Sequence, residues 1–281
     1  VKLIECPRDA MQGLTDFVPT ETKINYLNRL LQVGFDTLDF GSFVSPKAIP
    51  QMRDTAEVVE KLDMSATKTK LLAIVANLRG AQDAAVFEQI TYLGFPLSIS
   101  ETFQLKNTNK TIAQAFEEVS EIQNLCLNTK KQLVVYLSMG FGNHYGDPYS
   151  PELVEQFSER LVGMGINIIA PSDTIGTSTT DDIKTLYGHL LKKFPNVEFG
   201  AHLHAKSSHV AKKVRAAYKT GVRRIDCAVR GFGGCPLAED KLVGNLATEL
   251  VVSELNQLEA KITIDEQQLA QAMLASQYVF G

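Results

Sequence analysis

The sequence predicts a (β/α)8 TIM barrel, and three observations carry that prediction. The chain has 281 residues, close to the ~250 that one such barrel takes. Eight short apolar runs alternate with eight helical stretches, without a composition break that would divide the chain. Four dispersed segments rich in polar, glycine and cysteine residues need a closed sheet to meet: Pro7-Arg8-Asp9, His202-Leu203-His204, Gly231-Phe232-Gly233-Gly234-Cys235-Pro236 and Gly244-Asn245. One domain over residues 1–281 is expected, with a C-terminal helical extension. A doubly wound open sheet is the alternative that the same alternation allows.

Strands are read at 2–6, 36–41, 70–75, 89–98, 132–139, 166–171, 197–204 and 223–229. Helices are read near 20–33, 49–62, 78–87, 112–128, 151–163, 179–193 and 208–220, with a last one from about 246. Spacing supports these assignments: Leu153, Phe157 and Leu161 recur every four residues, and Ile183, Leu186 and Leu190 mark one face. Gly34 and Gly165 fall where helices should stop, and Pro195-Asn196 closes another before a strand. The tail from about 263 reads as one more helix packed outside the barrel.

Composition excludes several classes of function. A net charge of −4 without a basic stripe gives no footprint for nucleic acid. No apolar run approaches the ~20 residues of a membrane span, and the N-terminus lacks a basic-then-apolar signal segment. Cys6, Cys126, Cys227 and Cys235 have no C-x-x-C spacing and form no disulfide framework, so a cytoplasmic, reducing location is expected.

The run 197–204 points to chemistry. Val197, Phe199, Ala201 and Leu203 share one parity of the strand, and Glu198, Gly200, His202 and His204 share the other. The apolar parity should face the helices, leaving both histidines inside the barrel at its C-terminal end, where active sites of this fold lie. Two inward imidazoles two residues apart can reach one metal ion; hydrogen-bonded core histidines are the plainer reading. Asp9, expected to end strand one, adds a carboxylate and favours the metal. Arg8-Asp9 alone reads equally well as a surface ion pair. Asp173-Thr174 could be a helix N-cap pair. His144 reads as a solvated loop residue, and Lys47 as an exposed lysine or an anion contact. Cys6, Cys126 and Cys227 read as packing residues, whereas Cys235 lies on a glycine-rich loop where exposure is expected.

At these residues the chain resembles the hydroxymethylglutaryl-CoA lyase family, among the metal-dependent barrel lyases and synthases known as DRE-TIM metallolyases. The resemblance rests on Pro-Arg-Asp-Ala-Met-Gln (7–12), Ser-Phe-Val-Ser-Pro-Lys-Ala-Ile-Pro-Gln-Met (42–52), Ser-Asp-Thr-Ile-Gly (172–176), His-Leu-His (202–204), Gly-Phe-Gly-Gly-Cys-Pro (231–236) and Gly-Asn-Leu-Ala-Thr-Glu (244–249). The Arg-Asp and His-x-His pairs are shared with the synthases; the 42–52 segment and Gly-Gly-Cys-Pro are particular to the lyases.

The resemblance implies cleavage of 3-hydroxy-3-methylglutaryl-CoA to acetyl-CoA and acetoacetate. Asp9, His202, His204 and Asn245 would hold Mg2+ or Mn2+. Arg8 would neutralise the thioester oxygen and Cys235 would protonate the enolate, with His202 or Asp9 as base. Asp39 would partner Arg8, and Asp173 would stand near the metal. Gln12, Ser42 and Lys47 join Arg8 as expected substrate contacts, with an acyl-CoA as ligand and a homodimer as the expected assembly. The alternatives are a related aldolase or synthase acting on another hydroxyacyl-CoA or 2-oxo acid, and a barrel that binds without catalysis. The chain departs from the family at several points. Asp39 replaces the usual glutamate, Cys6 the glycine before Pro-Arg-Asp, and Ala10 the glycine after it. Ala205-Lys206-Ser207-Ser208 follow the histidines, and 237–243 replace a glycine-rich loop.

Overall fold

A computed structural model describes residues 1–234 and 243–281. Eight parallel strands form a closed barrel in sequence order: β1 (Lys2–Glu5), β2 (Thr37–Ser42), β3 (Lys70–Ile74), β4 (Ile90–Ser98), β5 (Gln132–Ser138), β6 (Ile168–Asp173), β7 (Glu198–Leu203) and β8 (Arg224–Cys227). Closure comes from β1 pairing with β8, Lys2 through Glu5 against Arg224 through Cys227, and this excludes the open sheet. The helices are α1 (Pro7–Gln12), α2 (Thr20–Leu30), α3 (Thr55–Glu60), α4 (Leu78–Ala85), α5 (Glu101–Thr108), α6 (Ile112–Thr129), α7 (Pro151–Gly163), α8 (Thr180–Lys193), α9 (Ser207–Thr220), α10 (Thr248–Gln257), α11 (Glu266–Ala275) and α12 (Gln277–Phe280).

The strands fall within about two residues of their expected bounds; four helical details differ. Asp9 does not end a strand. β1 stops at Glu5, and Pro7, whose missing N–H costs nothing at a first helical position, starts α1, so Asp9 lies in that helix's first turn. The stretch 49–62 divides into a 3-10 turn at Pro50–Met52 and the short α3, with the Thr55 hydroxyl donating to the Met52 carbonyl at the break. α5 was not expected, because it has little apolar periodicity; Ser100 caps it by accepting from Phe103 N. The tail holds two helices rather than one, the first capped by Asp265.

Strand parity sorts the core. Leu72, Ile74, Tyr92, Val134, Tyr136, Ile168 and Ala170 pack inside the barrel, while Val197, Phe199, Ala201 and Leu203 join the larger core between sheet and helices. The inward column of β7 is therefore Glu198, Gly200 and His202. Gly200 makes room for a buried arginine: a Cβ there would sit 3.2 Å from Arg224 Cδ. Arg224 Nη1 in turn reaches Glu198 at 3.2 Å. At the opposite, C-terminal end, residues 244–247 return to the barrel. Ala205 N donates to the Gly244 carbonyl, and Asn245 and Ala247 bridge to His204 and Ala228.

Candidate active site

Three segments converge at the C-terminal end: the first turn of α1, the tip of β7 with the residue beyond it, and the returning 244–247 segment. Ligand atoms of Asp9, His202 and His204 all lie within 4.8 Å of one another, and the three residues line a cavity of about 500 Å3. Each imidazole is held by one nitrogen. His202 Nδ1 lies 3.1 Å from Asp226 Oδ2, and His204 Nδ1 lies 3.1 Å from the Thr174 carbonyl. His204 Nε2 is buried without a hydrogen-bond partner. A buried lone pair left unused beside a carboxylate and a second imidazole is what a dication would engage. Burial and the neighbouring His202 hold His204 down to about 4, so the ring is neutral and free to donate that lone pair at neutral pH. His202 moves the other way: burial opposes its charge, but the Asp226 carboxylate outweighs burial and raises it. The plainer reading of two satisfied core histidines fails at His204 Nε2.

Asn245 stands beside Asp9, in the orientation of a donor. Its Nδ2 gives hydrogen bonds to Asp9 Oδ2 at 2.7 Å and to the Phe232 carbonyl at 3.0 Å. Ligation would use Oδ1, which a half-turn of the amide would bring round. Two glycines permit this crowding. Gly233, at φ +97°, would place a Cβ 2.6 Å from Asn245 Nδ2, and a Cβ on Gly244 would meet the Gly231 carbonyl oxygen at 2.0 Å.

Arg8 is buried and fully engaged. Its Nε donates to Asp39 Oδ1 at 3.2 Å and its Nη2 to Asp39 Oδ2 at 2.5 Å in a forked pair, while Nη1 meets Asp9 Oδ1 at 3.1 Å and Gln12 Oε1 at 2.8 Å. The shorter aspartate therefore reaches the arginine directly, which rules out the surface-pair reading. Burial pushes Asp39 up to about 6 against the pull of Arg8, which leaves it ionised at neutral pH. Asp9 is held below the usual carboxylate range: burial opposes ionisation, but Arg8 and the two histidines outweigh it.

Other expected residues have different surroundings. Asp173 is buried, and its carboxylate accepts from Thr177 N, Ser178 N, Ser178 Oγ and Lys213 Nζ, so its capacity is spent on its own loop and on α9. Ser42 is buried, and its hydroxyl donates to the Ile74 carbonyl rather than lining the cavity. Lys47 is exposed next to Ala48 and Ile49, which do line it. Gln51, from the same segment, braces the turn before α2 through Val18 N and the Asp16 carbonyl. Cys235 lies outside the described residues, as does most of the 237–243 stretch that departs from the family.

Three residues that sequence reading missed support the site. Asp226 orients His202, the Thr174 carbonyl orients His204, and buried Lys213 ties Asp173 to the His204 carbonyl at 2.9 Å. The legible signals were the inward parity of Asp226 on its strand and a lysine between Val210 and Val214 on the buried face of α9.

The HMGL-like family pattern matches residues 2–275. The chain belongs to the HMGL-like family. It is 31% identical to the cytoplasmic 3-hydroxy-3-methylglutaryl-CoA lyase of Rattus norvegicus, over 97% of this chain and 79% of that protein. It is also 31% identical to the hydroxymethylglutaryl-CoA lyase YngG of Bacillus subtilis, over 95% and 88%. The solved HMG-CoA lyase of Acinetobacter baumannii, in complex with coenzyme A and 3-methylmalate, superposes with a TM-score of 0.91 at 31% identity, covering 99% of this chain and 91% of that one. No described helix is long and apolar enough to cross a membrane.

Proposed function

We propose that this member of the HMGL-like family is a divalent-metal-dependent carbon–carbon lyase that cleaves 3-hydroxy-3-methylglutaryl-CoA to acetyl-CoA and acetoacetate. The observation that carries the reading is the unpartnered His204 Nε2, grouped with Asp9 and His202 in a cavity that the Arg8 side chain also lines. Asp9, His202 and His204 would hold Mg2+ or Mn2+, with Asn245 after rotation of its amide. Bound there, the ion would acidify the substrate's C3 hydroxyl and stabilise the alkoxide.

The chain's own residues supply the rest. Arg8, locked by Asp39, presents fixed positive charge to the thioester oxygen as C2–C3 cleavage turns the acetyl-CoA half into an enolate. Gln12 helps hold the Arg8–Asp9 pair in register. Asp9 would take the hydroxyl proton, or His202, braced by Asp226, would do so if its Nε2 is left off the ion. Cys235 returns a proton to the enolate carbon; a thiol near pKa ~8.5 is protonated at neutral pH and can act as that acid. Apolar Val44, Ile49, Ile74, Pro96 and Phe103 also line the cavity and suit the hydrocarbon part of an acyl group. A homodimer follows from the resemblance and is read by light scattering.

Incubation with 3-hydroxy-3-methylglutaryl-CoA and Mg2+ should give equimolar acetyl-CoA and acetoacetate. Turnover of a different 3-hydroxyacyl-CoA in the same panel, with this one untouched, would move the assignment to a related lyase. No cleavage of any member would favour the barrel without catalysis.

A further inference from the structure

Beneath the Asp9 site lies a second cluster of donors. Ligand atoms of Cys6, His202 and Asp226 lie within 4.8 Å of one another. His202 serves both groups, with Nδ1 turned to Asp226 at 3.1 Å. The other Asp226 oxygen, Oδ1, is buried with no partner, and so is the hydroxyl of Tyr136, whose ring packs edge-on against His202 at 5.5 Å between centroids. Cys6 is 1% exposed and its Sγ has a weak contact, 3.7 Å, with the Ile4 carbonyl. Thiol, imidazole edge and half-used carboxylate thus surround one buried point, where the family resemblance expects a glycine in place of Cys6.

We propose that Cys6, His202 and Asp226 form a binding site for a thiophilic divalent ion of the Zn2+ class, and that its occupancy shuts the Asp9 site. A set that includes a thiolate suits zinc or cobalt and is poor for Mg2+, a hard ion with little affinity for sulfur. The thiol proton leaves on ligation. Burial and the Asp226, Asp39 and Asp9 carboxylates push the Cys6 thiol up, and the same negative surroundings attract a dication. A neutral imidazole has one lone pair. An ion on Nδ1 moves the ring proton to Nε2, so His202 can no longer serve Asp9 and His204. The two sites therefore exclude each other through one shared ring.

The site rests on geometry; only its effect on turnover rests on the lyase reading, and the test keeps the two apart. Purified metal-free protein is titrated with Co2+ while absorbance is recorded. Wild type should develop an intense thiolate-to-cobalt charge-transfer band at one equivalent. Cys6→Ser should lose the band, whereas Cys235→Ser should keep it. In the Mg2+ assay, Zn2+ should inhibit wild type in competition with Mg2+, and Cys6→Ser should be at least tenfold less sensitive while its Mg2+-supported turnover stays within about threefold. Thermal unfolding of each metal-free variant establishes that it is folded. Cobalt binding without a thiolate band, or a band that persists in folded Cys6→Ser, overturns the site. A Cys6-dependent band with equal zinc inhibition of both proteins overturns the mutual exclusion. Absence of lyase activity leaves the spectroscopic test intact.

Discussion

Arg8 uses its whole fork: Asp39 occupies one edge, and Asp9 with Gln12 the other. Glutamine cannot carry the charge, and lysine cannot span both edges. Arg8→Gln should lower kcat by ~10²–10³ or more, the loss typical of one removed oxyanion donor, and Arg8→Lys should not restore it. Steady-state kinetics beside circular dichroism checks both; wild-type kcat in a folded Arg8→Gln would remove the arginine from the reaction. Asp226 acts through His202 as a positioning residue. Asp226→Ala should weaken Mn2+ binding by ~10–100-fold, and Asp226→Asn, which keeps an accepting oxygen, should recover part of it. Electron paramagnetic resonance of free Mn2+ reads this without turnover, and equal affinity in all three proteins would refute the role. The period of two along β7 made His202 and His204 legible in the sequence, and motif spacing made Arg8, Asp9 and Asn245 legible. Parity alone could turn Asp226 inward, but its pairing with His202 was not legible, because that partner lies 24 residues earlier on a neighbouring strand and nothing local announces it.

At the scale of elements, α9 and the β6 loop are fastened by Lys213. Its Nζ meets Asp173 at 2.6 Å and the carbonyls of Gly176 and His204 at 3.2 and 2.9 Å. Removing one member of a buried pair typically costs ~3–5 kcal/mol, so Lys213→Ala should lower unfolding free energy by about that much and displace His204. Denaturant titration measures the first effect and Mn2+ affinity the second; a loss under ~1 kcal/mol would mean water replaces the lysine. Glu5 faces outward from β1, accepting from Val229 N at 2.8 Å and Thr248 Oγ1 at 2.6 Å. Burial raises it to about 8 from 4.5 despite those bonds. A carboxyl raised on folding stabilises while protonated, so its contribution is complete below about 4.5 and lost as pH rises through about 8. Wild type should therefore lose stability between about pH 4.5 and 8, by up to ~1.4 kcal/mol per unit, and Glu5→Gln should flatten that slope. Equal slopes would show that Glu5 is ionised throughout. Such an outward carboxylate reads as an ordinary strand residue, since its partners come from the turn after β8 and from the start of α10, far away in the chain. Likewise α5 escaped notice because its Ser100 cap, not an apolar face, defines it.

For the whole molecule, the barrel brings Asp9 and Asn245, 236 residues apart, to 2.7 Å. An ion that binds only the closed barrel stabilises it by mass action, ~2.7 kcal/mol at a hundredfold excess over Kd. Saturating Mn2+ should thus raise the Tm of wild type and leave that of His204→Ala unchanged; an equal rise in both would place the ion elsewhere. The β1–β8 seam has a further consequence for biosynthesis. Among the barrel's strands β1 is synthesised first and β8 last, so one hydrogen-bonding edge of β1 waits unpaired until the other seven strands have been made. Asp9 waits with it, since His202, His204 and Asn245 arrive only with the final third of the chain. The proposed donor set is therefore complete only once β7, β8 and the 244–247 segment have all been made and the first strand has docked against the last.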